Sequence, residues 1–200
     1  VVQAVVDRLN LHTSYIVAGR VKDTDLYTKS PVVVAMERGE LDKLKEDIEM
    51  EMQMVSATAV RVKGITPGLP ADTVFESLPA LLHTSHGNIG FTRREGVPAD
   101  YRKLLVSIRR PEAVIRACRS NLDIQQANRQ SSVLNLAFNT PYPTKGNDFL
   151  NTLIEEYNNQ AIEDKNMEAL NTQKFINERI AIIDRELSEA EQSVEEYKRS

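Results

Sequence analysis

The chain has 200 residues, 41% of them hydrophobic, enough to bury a substantial core in one or two domains. Its formal charge of −4 argues against nucleic-acid binding by the chain as a whole. A single cysteine, Cys118, excludes an internal disulfide and a cysteine-rich metal site. No run approaches the roughly 20 apolar residues of a membrane span, and no signal-peptide pattern opens the chain. Any anchor or targeting segment is therefore expected outside these residues. The mild net charge hides a contrast. Residues 93–129 hold nine basic side chains against four acidic, whereas residues 144–200 hold thirteen acidic against seven basic. Such a contrast suits two solvated faces, an attraction between subunits, or a basic surface facing anionic lipid or polysaccharide.

In chain order, Val2, Val5, Val6 and Leu9 recur at helical spacing, so the chain begins in or just before a helix. "SYIVAGR" and "SPVVVAMERG" are rich in β-branched residues and read as strands joined by the polar loop "VKDTDLYTKS". "DIEMEMQM" sets Ile48, Met50, Met52 and Met54 on one face of a strand, and "TAVRVKGI" alternates likewise, so the two suit a hairpin. Soft thioethers alone rarely make a metal site, and at strand spacing the methionines are expected in the core. "TPGLPAD" is a loop. Strands are expected at "ALLHTS", "NIGFTRRE" and "RKLLVSIRR". Pro111 then opens the helix "PEAVIRACRSNL", with Glu112 near its positive end and Cys118 as a small buried thiol.

"SVLNLAFNT" is a further strand, with Val133, Leu134, Leu136 and Phe138 as its apolar members. From about Thr144 onward there is no proline and, beyond Gly146, no glycine. Roughly 55 residues at about 1.5 Å rise would make a rod about 80 Å long. Near its start Phe149, Leu150, Leu153, Ile154 and Tyr157 form a face broad enough to lie on a sheet. Farther on, Ile176, Ile180, Ile183, Leu187, Ala190, Val194 and Tyr197 recur at alternating spacings of four and three. That narrow heptad seam is the pattern of one helix lying along another, so a partner helix is expected. The pattern predicts an α+β chain, with a mixed α/β base domain (residues 1–160, a small sheet and packed helices) and one long C-terminal helix projecting as residues 161–200.

No motif for chemistry stands out. His83 and His86 lie in "HTSH", where Thr84, Ser85 and Gly87 point to strand and turn rather than a metal pair. "GNIG" is half of a dinucleotide fingerprint at most, and no phosphate loop or nucleophile elbow is present. The pairs Arg93–Arg94 and Arg109–Arg110, at strand ends, are the best candidates for touching an anion or a neighbouring subunit. The expectation is an architectural chain with no catalytic, cofactor-binding or metal-binding residue.

The run "SSVLNLAFNTPYPTKGNDFLNTLIEEYNNQAIEDKNMEALNTQKFINERIAIIDRELSEAEQSVEEYK" resembles the conserved block of bacterial polysaccharide co-polymerases, the Wzz-type chain-length determinants. A strand is followed by Pro143, Leu150-Asn151, Tyr157 and Lys165, then by Thr172, Phe175, Ile176 and Arg179, then by Glu186, Leu187, Ala190 and Glu191. "VVQAVVDRLNLHTSYIVAGRVKDTDLYTKSPVVV" is similar to the run after the family's first strand. The variety it looks closest to is the exopolysaccharide type, whose periplasmic domain is fused to a cytoplasmic tyrosine autokinase.

The resemblance implies a non-catalytic domain at the periplasmic face of the inner membrane, anchored by flanking segments and assembled with copies of itself into a ring. It implies control of capsular or exopolysaccharide length and export, with the polymerase or export machinery, and the polysaccharide itself, as partners and nucleic acid as none. It also implies that the last helix is truncated and that its missing partner is a returning segment of the same protein. The kinase elements have no counterpart here, so ATP-dependent phosphorylation would belong to the parent protein alone. A periplasmic adaptor of an export pump is the alternative; it would carry a lipoyl-like motif, which this chain lacks.

Overall fold

A computed structural model describes residues 1–19, 23–128 and 132–199, without the side chains of residue 189 and of residues 191–193 and 195–199. The chain opens with α1 (Val2–Arg8). Its end is a Schellman motif: Leu11 N–H donates to Val6 O at 2.9 Å and Asn10 N–H to Asp7 O at 3.1 Å. Asn10 supplies the left-handed residue this turn needs, at φ 49°. Leu11 and Val6 then meet in an apolar cluster, the contact that usually completes such a turn.

Next come β1 (Thr13–Val17), β2 (Thr24–Asp25), a 3-10 turn at Tyr27–Lys29, β3 (Val32–Met36) and α2 (Arg38–Leu41). The strands β4 (Ile48–Met54), β5 (Val60–Gly64), β6 (Thr73–Phe75), β7 (Ala80–Thr84), β8 (Gly87–Arg93) and β9 (Leu104–Ile108) follow. Then α3 (Pro111–Asn121), β10 (Leu122–Gln126), β11 (Leu134–Phe138) and α4 (Pro143–Arg199) complete the chain. The architecture is α+β, with small sheets and one long C-terminal helix, as the pattern predicts.

Three antiparallel sheets result, ordered β2-β1-β9-β4-β5-β6, β3-β8-β7 and β10-β11. The inward faces of the first two share one core. Ile48, Met50, Met52, Met54, Val60, Val62, Val106 and Ile108 come from the six-stranded sheet; Val32, Val34, Met36, Ile89 and Phe91 come from the three-stranded one. The methionine row is therefore core, as its period of two requires. β4 and β5 form the expected hairpin, with Met52 opposite Val62.

A second core gathers Val5, Val6 and Leu11 around Val114 and Cys118 of α3 and Phe149 and Leu153 of α4. Phe138 stacks on Phe149 with ring centroids 4.1 Å apart. The apolar face at the start of α4 thus packs on helices and on the root of the β10-β11 ribbon, not on a broad sheet. Only part of that face is covered: Phe149 is fully buried, whereas Ile154 and Tyr157 are exposed. The loop expected between the first two strands holds β2 and the 3-10 turn. Leu122, read as helical, has extended dihedrals (φ −93°, ψ 119°) and begins a strand.

The chain divides into two units, Val1–Leu153 and Ile154–Ser200, with the division inside α4. The first unit contains both cores.

Candidate functional site: strand-end arginines, a buried charge cluster and an exposed seam

Arg93 closes β8. Its guanidinium donates to the carbonyls of Pro31 and Val97, the latter at 2.6 Å. Arg94 donates through Nε to Ser30 O at 3.1 Å and through its backbone N–H to Pro31 O at 2.9 Å. Ser30 is fully buried and donates its hydroxyl to Val32 O at 2.7 Å, so this pair fixes the segment leading into β3. Arg109 and Arg110 follow β9 and share one carboxylate, Asp47, at 3.7 and 3.4 Å. Asp47 also accepts the Arg110 backbone N–H at 3.0 Å, and both guanidinia are about half exposed. The two pairs belong to different sheets and use different partners. Carbonyls occupy the first pair, and a carboxylate already neutralises part of the second.

A charge cluster that the sequence reading did not single out lies where β2 meets the first turns of α4. Lys145 Nζ donates to Asp25 Oδ2 at 3.2 Å, with the carboxylate side chain only 5% exposed and the amine side chain 19%. The same ammonium lies 5.6 Å from the Tyr27 ring centroid, a cation–π contact. The other oxygen of Asp25 accepts the backbone N–H of Tyr27 at 2.9 Å and of Tyr15 at 3.4 Å. Tyr27 is an aromatic residue in the left-handed region, at φ 46°, where strain costs about 1–3 kcal/mol. The Asp25 acceptor holds that conformation. Burial, and next the adjacent Asp148 carboxylate, push the Tyr27 hydroxyl up to about 12. The Asp-x-Tyr spacing is the legible trace of this turn, since an aspartate commonly bonds the N–H two residues on. Lys145, 120 residues away, leaves no local signal.

Tyr15 and His12 are also buried in the first unit. The Tyr15 hydroxyl accepts Val34 N–H at 2.8 Å and donates to Val34 O at 3.4 Å. Asn10 also donates its amide to Val34 O, at 3.4 Å. β3 is an edge strand of its sheet, and these side chains satisfy backbone groups of its fully buried residue Val34. Burial raises the Tyr15 hydroxyl to about 12. His12 is 6% exposed, and its Nδ1 has no hydrogen-bond partner. Burial lowers its pKa, with Asp7 and Asp42 pulling upward and Arg38 downward. Arg38 itself pairs with Asp7 and, at 3.1 Å, with Asp42.

His83 and His86 lie at the β7-β8 hairpin, where Thr84 pairs with Gly87 and leaves a two-residue turn. His83 Nδ1 is 2.6 Å from Asn88 Oδ1 and His86 Nε2 2.7 Å from Pro67 O. Among the described residues no cluster of three or more His, Cys, Asp or Glu could hold a metal ion. Cys118 is buried in the second core, and burial raises its thiol pKa. These groups secure backbone and packing; among the described residues they do not assemble a nucleophile, a base and an anion-binding pocket.

The seam is different in kind. Ile176, Ile180, Ile183, Leu187 and Val194 are each 49–56% exposed, and Ala190 is exposed as well. The side chain of Tyr197 lies outside the described residues. An isolated helix that carries an Ile/Leu seam in water has a surface fitted to another helix. Among the described residues no helix is long and apolar enough to cross a membrane. No known family model matches this chain, and comparison with curated proteins gives no match either.

Proposed function

We propose that this chain is the non-catalytic domain of a polysaccharide co-polymerase, of the exopolysaccharide type whose parent protein carries a tyrosine autokinase beyond these residues. The domain sits at the periplasmic face of the bacterial inner membrane, assembles with copies of itself, and regulates the length and export of capsular or exopolysaccharide. The observation that carries this reading is the run resembling the family's conserved block, which here folds as a strand, β11, and then a helix, α4, that Pro143 opens and nothing interrupts for 57 residues. Its motif positions Tyr157, Thr172, Phe175, Ile176 and Arg179 are all exposed, as positions that contact other chains or a growing polymer must be.

The mechanism is one of scaffolding. Asp25, Lys145 and Tyr27 fix the first turns of α4 against the β body, and the rest of the helix offers its seam to a second helix. The test has two parts. The gene should encode an apolar segment of about 20 residues before Val1 and another after the residues that follow Ser200. Loss of the parent protein should change the length distribution of the surface polysaccharide on a gel. An unchanged distribution, or flanks without apolar segments, would overturn the reading.

A further inference from the structure

Between α2 and the start of α3 lies a cleft of about 350 Å³, a size that suits a small-molecule site. From α2 and the turn after it come Leu41, Leu44 and Asp42; from the start of α3 come Arg110, Glu112 and Arg116. Leu41 belongs to the first core and Leu44 packs against that core. Glu112 and Arg116 stand on the exposed face of α3, four residues apart, a spacing at which such side chains often pair. Here they do not: neither has an ion pair or a hydrogen bond among the described residues. Arg110 shares the single carboxylate of Asp47 with Arg109, so its five donors are not used up. Asp42 is held by Arg38 at 3.1 Å and keeps lone pairs for a further donor.

We propose that this cleft binds an acidic sugar residue, a uronate unit of a polysaccharide. The choice of a saccharide rests on the co-polymerase reading; the choice of an acidic one rests on the side chains. Arg110 and Arg116 carry planar guanidinia, which take a ligand carboxylate through paired hydrogen bonds. Glu112 and Asp42 accept hydrogen bonds from hydroxyls, which a uronate carries on the same ring as its carboxylate. Leu44 offers apolar surface to the C–H face of that ring. Leu44 also lines a second, more open depression of about 480 Å³, together with Lys43, Lys45 and His86. Adjoining units of a polymer therefore have a second polar surface within reach.

Other ligand classes each meet a conflict. A phosphate dianion would gain the two guanidinia but face the carboxylates of Glu112 and Asp42. A nucleotide adds a base, and no aromatic side chain lines the cleft for that base to stack on. A neutral sugar satisfies the carboxylates and leaves Arg116 without a partner. An acidic peptide brings carboxylates without the adjacent hydroxyls.

Isothermal titration of the whole chain with tetramers of glucuronate and of galacturonate tests the site. Saturable binding of at least one is expected, weakening as salt rises. A glucose tetramer, a glutamate tetrapeptide and inorganic phosphate should each bind about tenfold more weakly or worse. Arg116→Ala should weaken the uronate tetramer about tenfold. The near-ultraviolet tyrosine signal should stay unchanged in that variant, because the Arg116 side chain is exposed and unpaired. Glu112→Gln should weaken the saccharide but strengthen phosphate, since it removes a repelling charge. No saturable binding of either uronate would overturn the proposal. So would equal binding of the neutral sugar, the peptide or phosphate, or an Arg116→Ala or Glu112→Gln variant that binds as the native chain does. If polysaccharide length depends on the parent protein while neither uronate binds, the cleft assignment fails and the co-polymerase reading stands. If a uronate binds and polysaccharide length is independent of the parent, the site stands and that reading fails.

Discussion

Tyr15, Asp25 and Ser30, buried in the first unit, use their side chains to serve the backbone. The Tyr15 hydroxyl completes Val34 on the open edge of β3, and Asp25 satisfies two backbone N–H groups. His12 differs from these, because its Nδ1 is buried without a hydrogen-bond partner. Its folded pKa is lowered, chiefly by burial, below the ordinary 6.5. The unfolded chain therefore binds a proton at His12 under conditions where the folded chain does not, and stability rises with pH across that window. His12 contributes its full stability above about pH 6.5; the contribution declines as the pH falls below that value and levels off once the pH is under the folded pKa. Urea denaturation between pH 7.5 and 5 should show this decline. His12→Gln should flatten the part that His12 supplies, even though glutamine costs packing at every pH. If the variant and the native chain lose stability in parallel from pH 7 to 5.5, His12 titrates normally in the fold.

At the scale of elements, the Lys145–Asp25 pair fastens α4 to β2 across 120 residues of sequence. Removing one partner from a largely buried pair leaves the other uncompensated, so Lys145→Met should destabilise the first unit by about 3 kcal/mol. Asp25→Asn should cost a similar amount, because it also weakens the acceptor that holds Tyr27 in its left-handed conformation. Lys145→Met combined with Asp25→Asn should cost less than the two single effects together, and chemical denaturation of all four chains would measure that coupling. Strict additivity would mean that the pair contributes nothing. What the sequence could disclose follows the same division. Elements with a strong local period were legible: the alternation of β4 and β5, the Pro111 start of α3, the unbroken run of α4. Elements made by tertiary pairing were not. β2 is two polar residues long and exists because β1 pairs with it, and β10 begins at a leucine whose spacing also fits the end of α3. The strand-end arginines were visible as residues, but their partners, the carbonyls of residues 30, 31 and 97 and the Asp47 carboxylate, depend on the fold.

For the whole molecule, the two units differ in what stabilises them. The first has two buried cores, and the second of these is completed by Phe149 and Leu153, which lie just before the division. Beyond them Ile162, Met167, Leu170 and Phe175 are exposed, like the described seam residues, and among the described residues none past 160 is a member of either core. A long helix without a covered face relies on its own backbone propensity, which is marginal in water, and on any helix that pairs with it. A chain ending at residue 160 should therefore keep the cooperative melting transition of residues 1–153, shifted by no more than a few degrees. A chain ending at residue 147 loses Phe149, whose ring stacks on Phe138, and Leu153 with it. Deleting a buried phenylalanine alone costs about 3–5 kcal/mol, a large part of the stability of a domain this size. That shorter chain should melt far lower or fail to fold. The tyrosine near-ultraviolet signal, followed with temperature for both truncations, separates the outcomes. A loss of the transition in the 160-residue chain would mean that the distal helix is part of the fold of the first unit; its retention would show that the first unit folds without the seam.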